Sequence, residues 1–272
     1  MGKLLWQPSE ERIKQANMTR LIDFVNKKYG LEINSYAQLY NWSIENISDF
    51  WAAMWKFGEI KASRGYDKVV DDLSKFPGAR WFVGARLNFA ENLLRYRDDH
   101  IAFMFKGENQ KSTKMTYAEV YNSVARLAKS LREMGIAPGD RVCAYMPNLI
   151  ETAIAMLAAT SIGATWASCG ADLGAQAALD RLGQVEPKVL FTADAYFYKS
   201  KTFNTLVKAE KVAKGIPSLE RVIVVSYVES KLDISSIPNS VHYDDFLSPE
   251  KQPEIHFEQL PFDHPVFTMF SS

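Results

Sequence analysis

GIAPGDRVCAYMPNLIETAIAMLAATSIGATWASCGADLGAQAALDRLGQVEPKVLFTA, residues 135–193, alternates short β-forming runs with helical stretches. Pro138-Gly139-Asp140 is a turn, and the apolar run 141–146 reads as a strand. Pro147-Asn148 restarts a helix that runs to about Ile162, where Gly163 ends it. Residues 164–168 read as the next buried strand. Residues 169–174 form a loop that opens a helix through about Val185. Glu186-Pro187 breaks that helix, and 188–191 is a third strand. A Lys-rich helix is predicted over about 200–214 and a further strand over 221–226. Strands alternating with helices predict an α/β fold with a parallel, doubly wound sheet. Such sheets bind ligands at the carboxyl ends of their strands. The loops after Met146, Ser168 and Thr192 are therefore where chemistry is expected.

Towards the N-terminus, Thr116-Tyr-Ala-Glu119 has the form of a capping box. Behind it Val120, Val124, Leu127, Ala128 and Leu131 form one helical stripe that stops at Gly135. A strand at 101–105, a turn at Gly107-Glu108-Asn109 and a return to Met115 predict a hairpin. Residues 1–90 read as a helical region, separate from 91–272. Its first helix starts at Pro8-Ser9 with Glu10 and Glu11, carries Ile13, Ala16, Leu21 and Phe24 or Val25, and stops at Gly30. A second helix is predicted over 36–42 and a third from a Ser48 cap to about Gly58. Tyr36, Tyr40, Trp42, Phe50, Trp51 and Trp55 read as packing aromatics, with a ligand-stacking surface as the alternative. An irregular apolar segment follows through Trp81, Phe82, Val83, Leu87 and Phe89. At the other end, 229–265 reads as polar, Pro-rich connection and edge, and 266–270 begins a strand. The chain stops one step later at Ser271-Ser272, which reads as a cut.

The composition, 272 residues with 47% hydrophobic and 24% charged, is that of a globular protein with a sizeable core. Lys plus Arg and Asp plus Glu each total 32, so no broad field favours nucleic acid or an anionic membrane. The two cysteines, Cys143 and Cys169, build neither a disulfide framework nor a metal finger, and read as small buried hydrophobes in a reducing, cytoplasmic setting. His100, His242, His256 and His264 have no metal-ligand spacing, so no structural metal is expected. The opening residues lack the pattern of a secretory leader. Residues 153–171 are uncharged but rich in Ala, Thr, Ser and Gly, which suits a buried helix and strand better than a bilayer span. Asp71-Asp72, Asp98-Asp99 and Asp244-Asp245 read as solvated turns, and Lys208, Lys211 and Lys214 as a solvated helix face. Lys199 and Lys201 lie nearer a strand's carboxyl end. The 170–174 loop enters a helix, where backbone N–H groups can face an anion.

Three stretches carry a resemblance: NFAENLL at 88–94, MTYAEV at 115–120 with the run 135–148, and the run 158–193. Together they resemble acyl-adenylate-forming acid–CoA ligases of the acetyl-CoA synthetase type. GATWASC (163–169), LDRLGQVEPKVLF (179–191) and NFAENLL are most similar to the acetoacetyl-CoA synthetase branch. The resemblance implies a helical N-terminal segment and an incomplete, mostly parallel sheet of the acyl-adenylate-forming type. It also implies ATP, Mg2+ and CoA, with acetoacetate as the acid. MgATP converts the carboxylate to an acyl-adenylate, and the CoA thiol then displaces AMP. The phosphate-gripping loop resembles S-S-G-T-T-G-x-P-K, and VFTMFSS leads into it, so Ser271 and Ser272 would be its first two positions. The rest of that loop, the Mg-linked acid and the catalytic lysine would lie beyond. No catalytic residue is thus assigned within these residues, and the fragment alone is expected to be inactive, with the remainder of its own chain covering the missing half. The carry-over is limited to CoA. Gly170, Ala171, Asp172, Leu173 and Gly174 match a loop that reads S-P-D-F-G in the acetoacetate branch. A basic pair for the CoA 3′-phosphate maps to Tyr198 and Lys201, with Lys199 nearby. Lysine can still hold a phosphate as a point charge. Acetyl- or propionyl-CoA synthetase, or a truncated CoA-binding or interaction module, remain as alternatives.

Overall fold

Ser9 accepts a hydrogen bond from the backbone N–H of Arg12 and so opens α1 (Glu10–Gln15), as the Pro-Ser signal predicts. The computed structural model describes residues 2–3, 5–108, 112–229 and 232–271. The single first helix predicted from the sequence is two. The backbone leaves the helical region at Ala16 (ψ 141°), and the Thr19 hydroxyl donates to the Ile13 carbonyl at 2.6 Å. That takes the acceptor an uninterrupted helix would give to residue 17. α2 (Asn17–Tyr29) then ends at Gly30, whose φ of 68° suits a residue without a Cβ. α3 (Tyr36–Glu45) is capped by Ser35. α4 (Ile47–Phe57) follows directly on Asn46, so the predicted Ser48 cap lies inside the helix instead.

The chain divides into two compact units, Met1–Lys61 with Gly65–Ala85, and Ala62–Arg64 with Arg86–Ser272. In the first unit Leu21, Val25, Ile33, Leu39 and Ala53 form the core, beside a short antiparallel pair, β1 (Lys68–Val70) and β2 (Trp81–Val83). Its aromatics pack on one another: Trp42 meets Tyr29 at 5.2 Å and Phe50 at 6.3 Å, and Trp55 meets Phe82 at 4.7 Å. Tyr36 and Tyr40 stay exposed.

The second unit opens with β3 (Arg86–Leu87) and α5 (Phe89–Leu93), where the sequence showed only an irregular segment. The buried Asn88 explains the order. Its Oδ1 caps the helix, and its amide donates to the carbonyls of Thr160, Ser161 and Glu258. β4 (Ile101–Lys106) and β5 (Ser112–Thr116) make the predicted hairpin, although Asn109 of its turn lies outside the described residues. α6 (Tyr117–Glu133) starts in the predicted capping box, and its five stripe residues are buried.

The remaining elements build the sheet: β6 (Arg141–Met146), α7 (Ile150–Ser161), β7 (Thr165–Gly170), α8 (Ala175–Leu182), β8 (Val189–Ala193), β9 (Ala195–Tyr198), β10 (Lys201–Asn204), α9 (Leu206–Gly215), β11 (Arg221–Val225), β12 (Ser240–His242), α10 (Tyr243–Phe246), β13 (Leu260–Pro261) and β14 (Phe267–Thr268). Six strands run in the order β12-β11-β8-β6-β7-β14, every neighbouring pair parallel. Strand alternation gives the sheet two apolar faces. Val142, Ala144 and Met146 share a core with α6 and α7, while Cys143 and Tyr145 share one with α8 and α9. This is the doubly wound arrangement that the 135–193 pattern predicts.

One predicted element is corrected. Residues 200–204 are not helical: β9 and β10 form an antiparallel hairpin whose turn, Lys199-Ser200, has φ of 50° and 59°. The rings of Tyr196 and Phe203 stack across it at 5.1 Å, and the Thr205 hydroxyl donates to the Ala193 carbonyl, so the helix begins only at Leu206. The stretch read as connection and edge, 229–265, supplies β12 as the edge strand of the main sheet, together with α10 and β13. Among the described residues, no helix is long and apolar enough to cross a membrane.

Candidate functional site

β6, β7 and β8 end side by side, with Met146 opposite Gly170 and Tyr145 opposite Thr192. A cleft of about 920 Å³ opens over these ends. Met146, Pro147 and Asn148 line it after β6, and Ser168, Cys169, Gly170, Ala171 and Asp172 line it from β7. The aromatic side chains of the β9–β10 hairpin form the facing wall. These are the loops singled out from strand alternation alone.

The 170–174 loop is tightly determined. A Cβ on Gly170 would meet the Asp172 carboxylate, which would have to turn aside. The Leu173 N–H donates to the Gly170 carbonyl at 3.2 Å, and Gly174 leads into α8 with no side-chain cap. From beneath, the fully buried Tyr145 donates its hydroxyl to the Leu173 carbonyl. From α9, the Lys208 ammonium donates to the carbonyls of Ala171 and Leu173, at 3.3 Å each. Lys208 is thus not the solvated helix residue read from the sequence. The aromatic wall is braced in the same way: Phe197 meets Tyr227 at 5.5 Å, and Tyr227 meets Phe105 at 6.0 Å. The hairpin springs from Asp194, a buried carboxylate that accepts from the N–H groups of Ala195, Tyr227, Val228 and Glu229.

Of the residues predicted from the sequence, Gly170, Ala171, Asp172 and Tyr198 line the cleft, and Leu173 and Gly174 complete the loop behind it. Lys199 occupies the hairpin turn, its ammonium 5.2 Å from the Tyr198 ring, and Lys201 is the cross-strand partner of Tyr198. Both lysines are exposed and outside the cleft lining. Ser271 follows β14 and does not line this cleft, and Ser272 lies outside the described residues. Sequence reasoning missed Tyr145, Asp194, Tyr196, Phe203 and Lys208.

Burial keeps two titratable groups packed at this loop, the Cys169 thiol and the Tyr145 phenol, in their neutral forms near pH 7. Burial pushes the Cys169 thiol up to about 11, with the Asp172 carboxylate reinforcing the shift and the Arg181 guanidinium opposing it. Burial also pushes Tyr145 up to about 12, so near neutral pH it remains a donor to the loop. Among the described residues, no cluster of three or more His, Cys, Asp or Glu side chains could hold a metal ion.

Residues 89–272 match the AMP-binding enzyme family, and the chain belongs to it. Residues 36–93 match the region described as the acetyl-coenzyme A synthetase N-terminus. More particularly, the chain is similar to acetoacetyl-CoA synthetases. It is 44% identical to that of Macaca fascicularis over 278 residues, which cover 99% of this chain and 41% of the relative. Against that of Gallus gallus it is 44% identical over 279 residues, covering 100% of this chain and 42% of the relative. The solved acetoacetyl-CoA synthetase from Streptomyces lividans superposes with a TM-score of 0.91 at 35% identity, covering 99% of this chain and 41% of that one. The chain thus spans about two fifths of the length of the relatives it matches.

Proposed function

We propose that the protein carrying this chain is an AMP-forming acid–CoA ligase that activates acetoacetate, and that this chain supplies the surface for the nucleotide end of CoA. The observation that carries the reading is the cleft itself. A glycine-bearing loop and an aromatic wall face each other over three parallel strand ends, in a chain similar along its whole length to acetoacetyl-CoA synthetases. Gly170, Ala171 and Asp172 would lie along the nucleotide, and Tyr196 and Tyr198 would offer ring faces. Lys199 and Lys201, free of any carboxylate partner among the described residues, would meet a phosphate at the hairpin tip.

The chemistry proceeds in two displacements. A carboxylate oxygen of the acid attacks the α-phosphorus of ATP, and pyrophosphate leaves with the bonding pair. The CoA sulfur, losing its proton, then attacks the acyl carbon, and AMP leaves. Ser271 would stand at the entrance to the triphosphate site. The described residues supply no acid cluster for Mg2+. We assign residues 1–90 to the helical N-terminal region and 91–272 to the first part of the adenylate-forming domain. Free Cys143 and Cys169 suit a reducing cytoplasm.

The test is thioester and AMP formation by the complete gene product with MgATP and CoA, comparing acetoacetate, acetate and propionate. We expect acetoacetate to be preferred by at least about tenfold in kcat/KM. A preference for acetate or propionate would overturn the acid assignment. CoA binding without any ATP-dependent thioester would overturn the ligase and leave a binding module.

A further inference from the structure

We infer that Tyr145 and Lys208 are positioning residues: they clamp the 170–174 loop from behind so that its N–H groups are presented to the phosphate-bearing end of the thiol substrate. The inference rests on the reading of the cleft as the CoA-nucleotide surface. Its starting point is the unusual environment of Lys208. This cation has three partners among the described residues, and none is a carboxylate: the carbonyls of Ala171 and Leu173 at 3.3 Å each, and the face of Tyr196 at 5.8 Å. Ala171 and Tyr196 both line the cleft, so one ammonium ties the loop to the aromatic hairpin. The second clamp member, Tyr145, is fully buried in β6 and reaches the same Leu173 carbonyl.

The consequence follows from peptide geometry. In a trans peptide the carbonyl and the next residue's N–H point in opposite directions. Turning the Ala171 and Leu173 carbonyls towards Lys208 therefore turns the N–H groups of Asp172 and Gly174 away from it. Neither N–H finds a partner among the described residues. Two backbone donors without partners are what an anionic group requires of a loop. A positive charge directly behind the loop adds to the attraction. Removing Lys208 would free the Ala171 carbonyl to rotate, and the Asp172 N–H with it, and would leave the Leu173 carbonyl to Tyr145 alone.

The experiment compares K208M, K208R and Y145F in the complete gene product. Acid-dependent ATP–pyrophosphate exchange, which does not use CoA, serves as the internal reference. We expect K208M to raise the KM for CoA by at least about tenfold while exchange stays within about twofold, and K208R to restore CoA within about threefold. Y145F should raise it by only about threefold, because Lys208 still holds the Leu173 carbonyl. An unchanged KM for CoA in K208M would overturn the clamp, as would an equal fall in exchange, which marks a general structural defect. If K208M does not fold, Y145F decides: a KM for CoA equal to that of the unsubstituted protein overturns the inference. If the unsubstituted protein makes no thioester, the ligase reading fails separately. Calorimetric CoA binding then tests the clamp, with weaker binding in K208M supporting it and equal binding refuting it.

Discussion

Cys169 stands where β7 turns into the cleft, and its chemistry reports on that environment. Burial raises its thiol to about 11, Asp172 adds to the shift and Arg181 opposes it. Only the thiolate is a nucleophile, so alkylation should be slow at pH 8 and should accelerate as pH rises towards 11. Peptide mapping after iodoacetamide treatment separates it from Cys143, which is fully buried and raised further, to about 12. D172N should move the Cys169 profile to lower pH, because it removes a negative charge beside the thiolate. A profile unmoved by D172N would show that the carboxylate does not face the sulfur. Asp71 gives a second test, with the opposite sign. The Lys75 ammonium beside it, followed by the Arg80 N–H, holds its carboxyl well below the usual carboxylate range. A group depressed on folding stabilises above its unfolded pKa, near 4, and loses that contribution as pH falls through the depressed value. D71N should therefore melt below the unsubstituted protein at pH 7, and the gap should narrow as pH drops below about 4. Thermal melts at pH 7 and pH 3 check this, and a gap that widens in acid would refute it.

At the scale of elements, α6 is held at its start by a reciprocal pair: Glu119 N–H donates to the Thr116 hydroxyl, and Thr116 N–H donates to the Glu119 carboxylate. T116A removes one half of this box and should cost about 1 kcal/mol in urea denaturation followed by circular dichroism. A cost near zero would mean that the packed stripe alone fixes the helix start. The box was legible in the sequence because both partners lie within one turn. The parallel strands were legible for a related reason: β6 and β8, covered on both faces, are almost continuously apolar, and Pro187 punctuates the approach to β8. Elements settled by distant partners were not legible. α1 breaks at Ala16 around a hydroxyl–carbonyl bond from Thr19, although the apolar spacing continues unbroken. The β9–β10 hairpin depends on Asp194 collecting N–H groups from residues 227–229, and its lysines mimic a helix surface. The candidate site divides along the same line. Gly170, Ala171 and Asp172 follow from strand order, whereas Lys208 holds the loop from α9, a helix that begins only after the hairpin.

At the scale of the molecule, the two units differ sharply in how much apolar surface they bury. The second unit encloses one core on each face of a six-stranded sheet. The first gathers Leu21, Val25, Ile33, Leu39 and Ala53, with partly buried aromatics around them. The fraction of surface buried on folding rises with size, so the smaller unit has the thinner margin against chain entropy. The sequence also supplies a selective probe. Of the 6 tryptophans, Trp42, Trp51, Trp55 and Trp81 belong to the first unit together with Trp6, and only Trp166 lies in the second. Tryptophan emission therefore reports mainly on the first unit, while far-ultraviolet circular dichroism reports on the helices of both, with more of them in the larger. In a urea titration the emission change should precede the loss of circular dichroism, because non-coincident probes mark more than one cooperative step. W166F should leave the early emission transition in place, since its source lies elsewhere. Coincident transitions from both probes would show instead that the units unfold as one cooperative body, and that the smaller core borrows its stability from the larger.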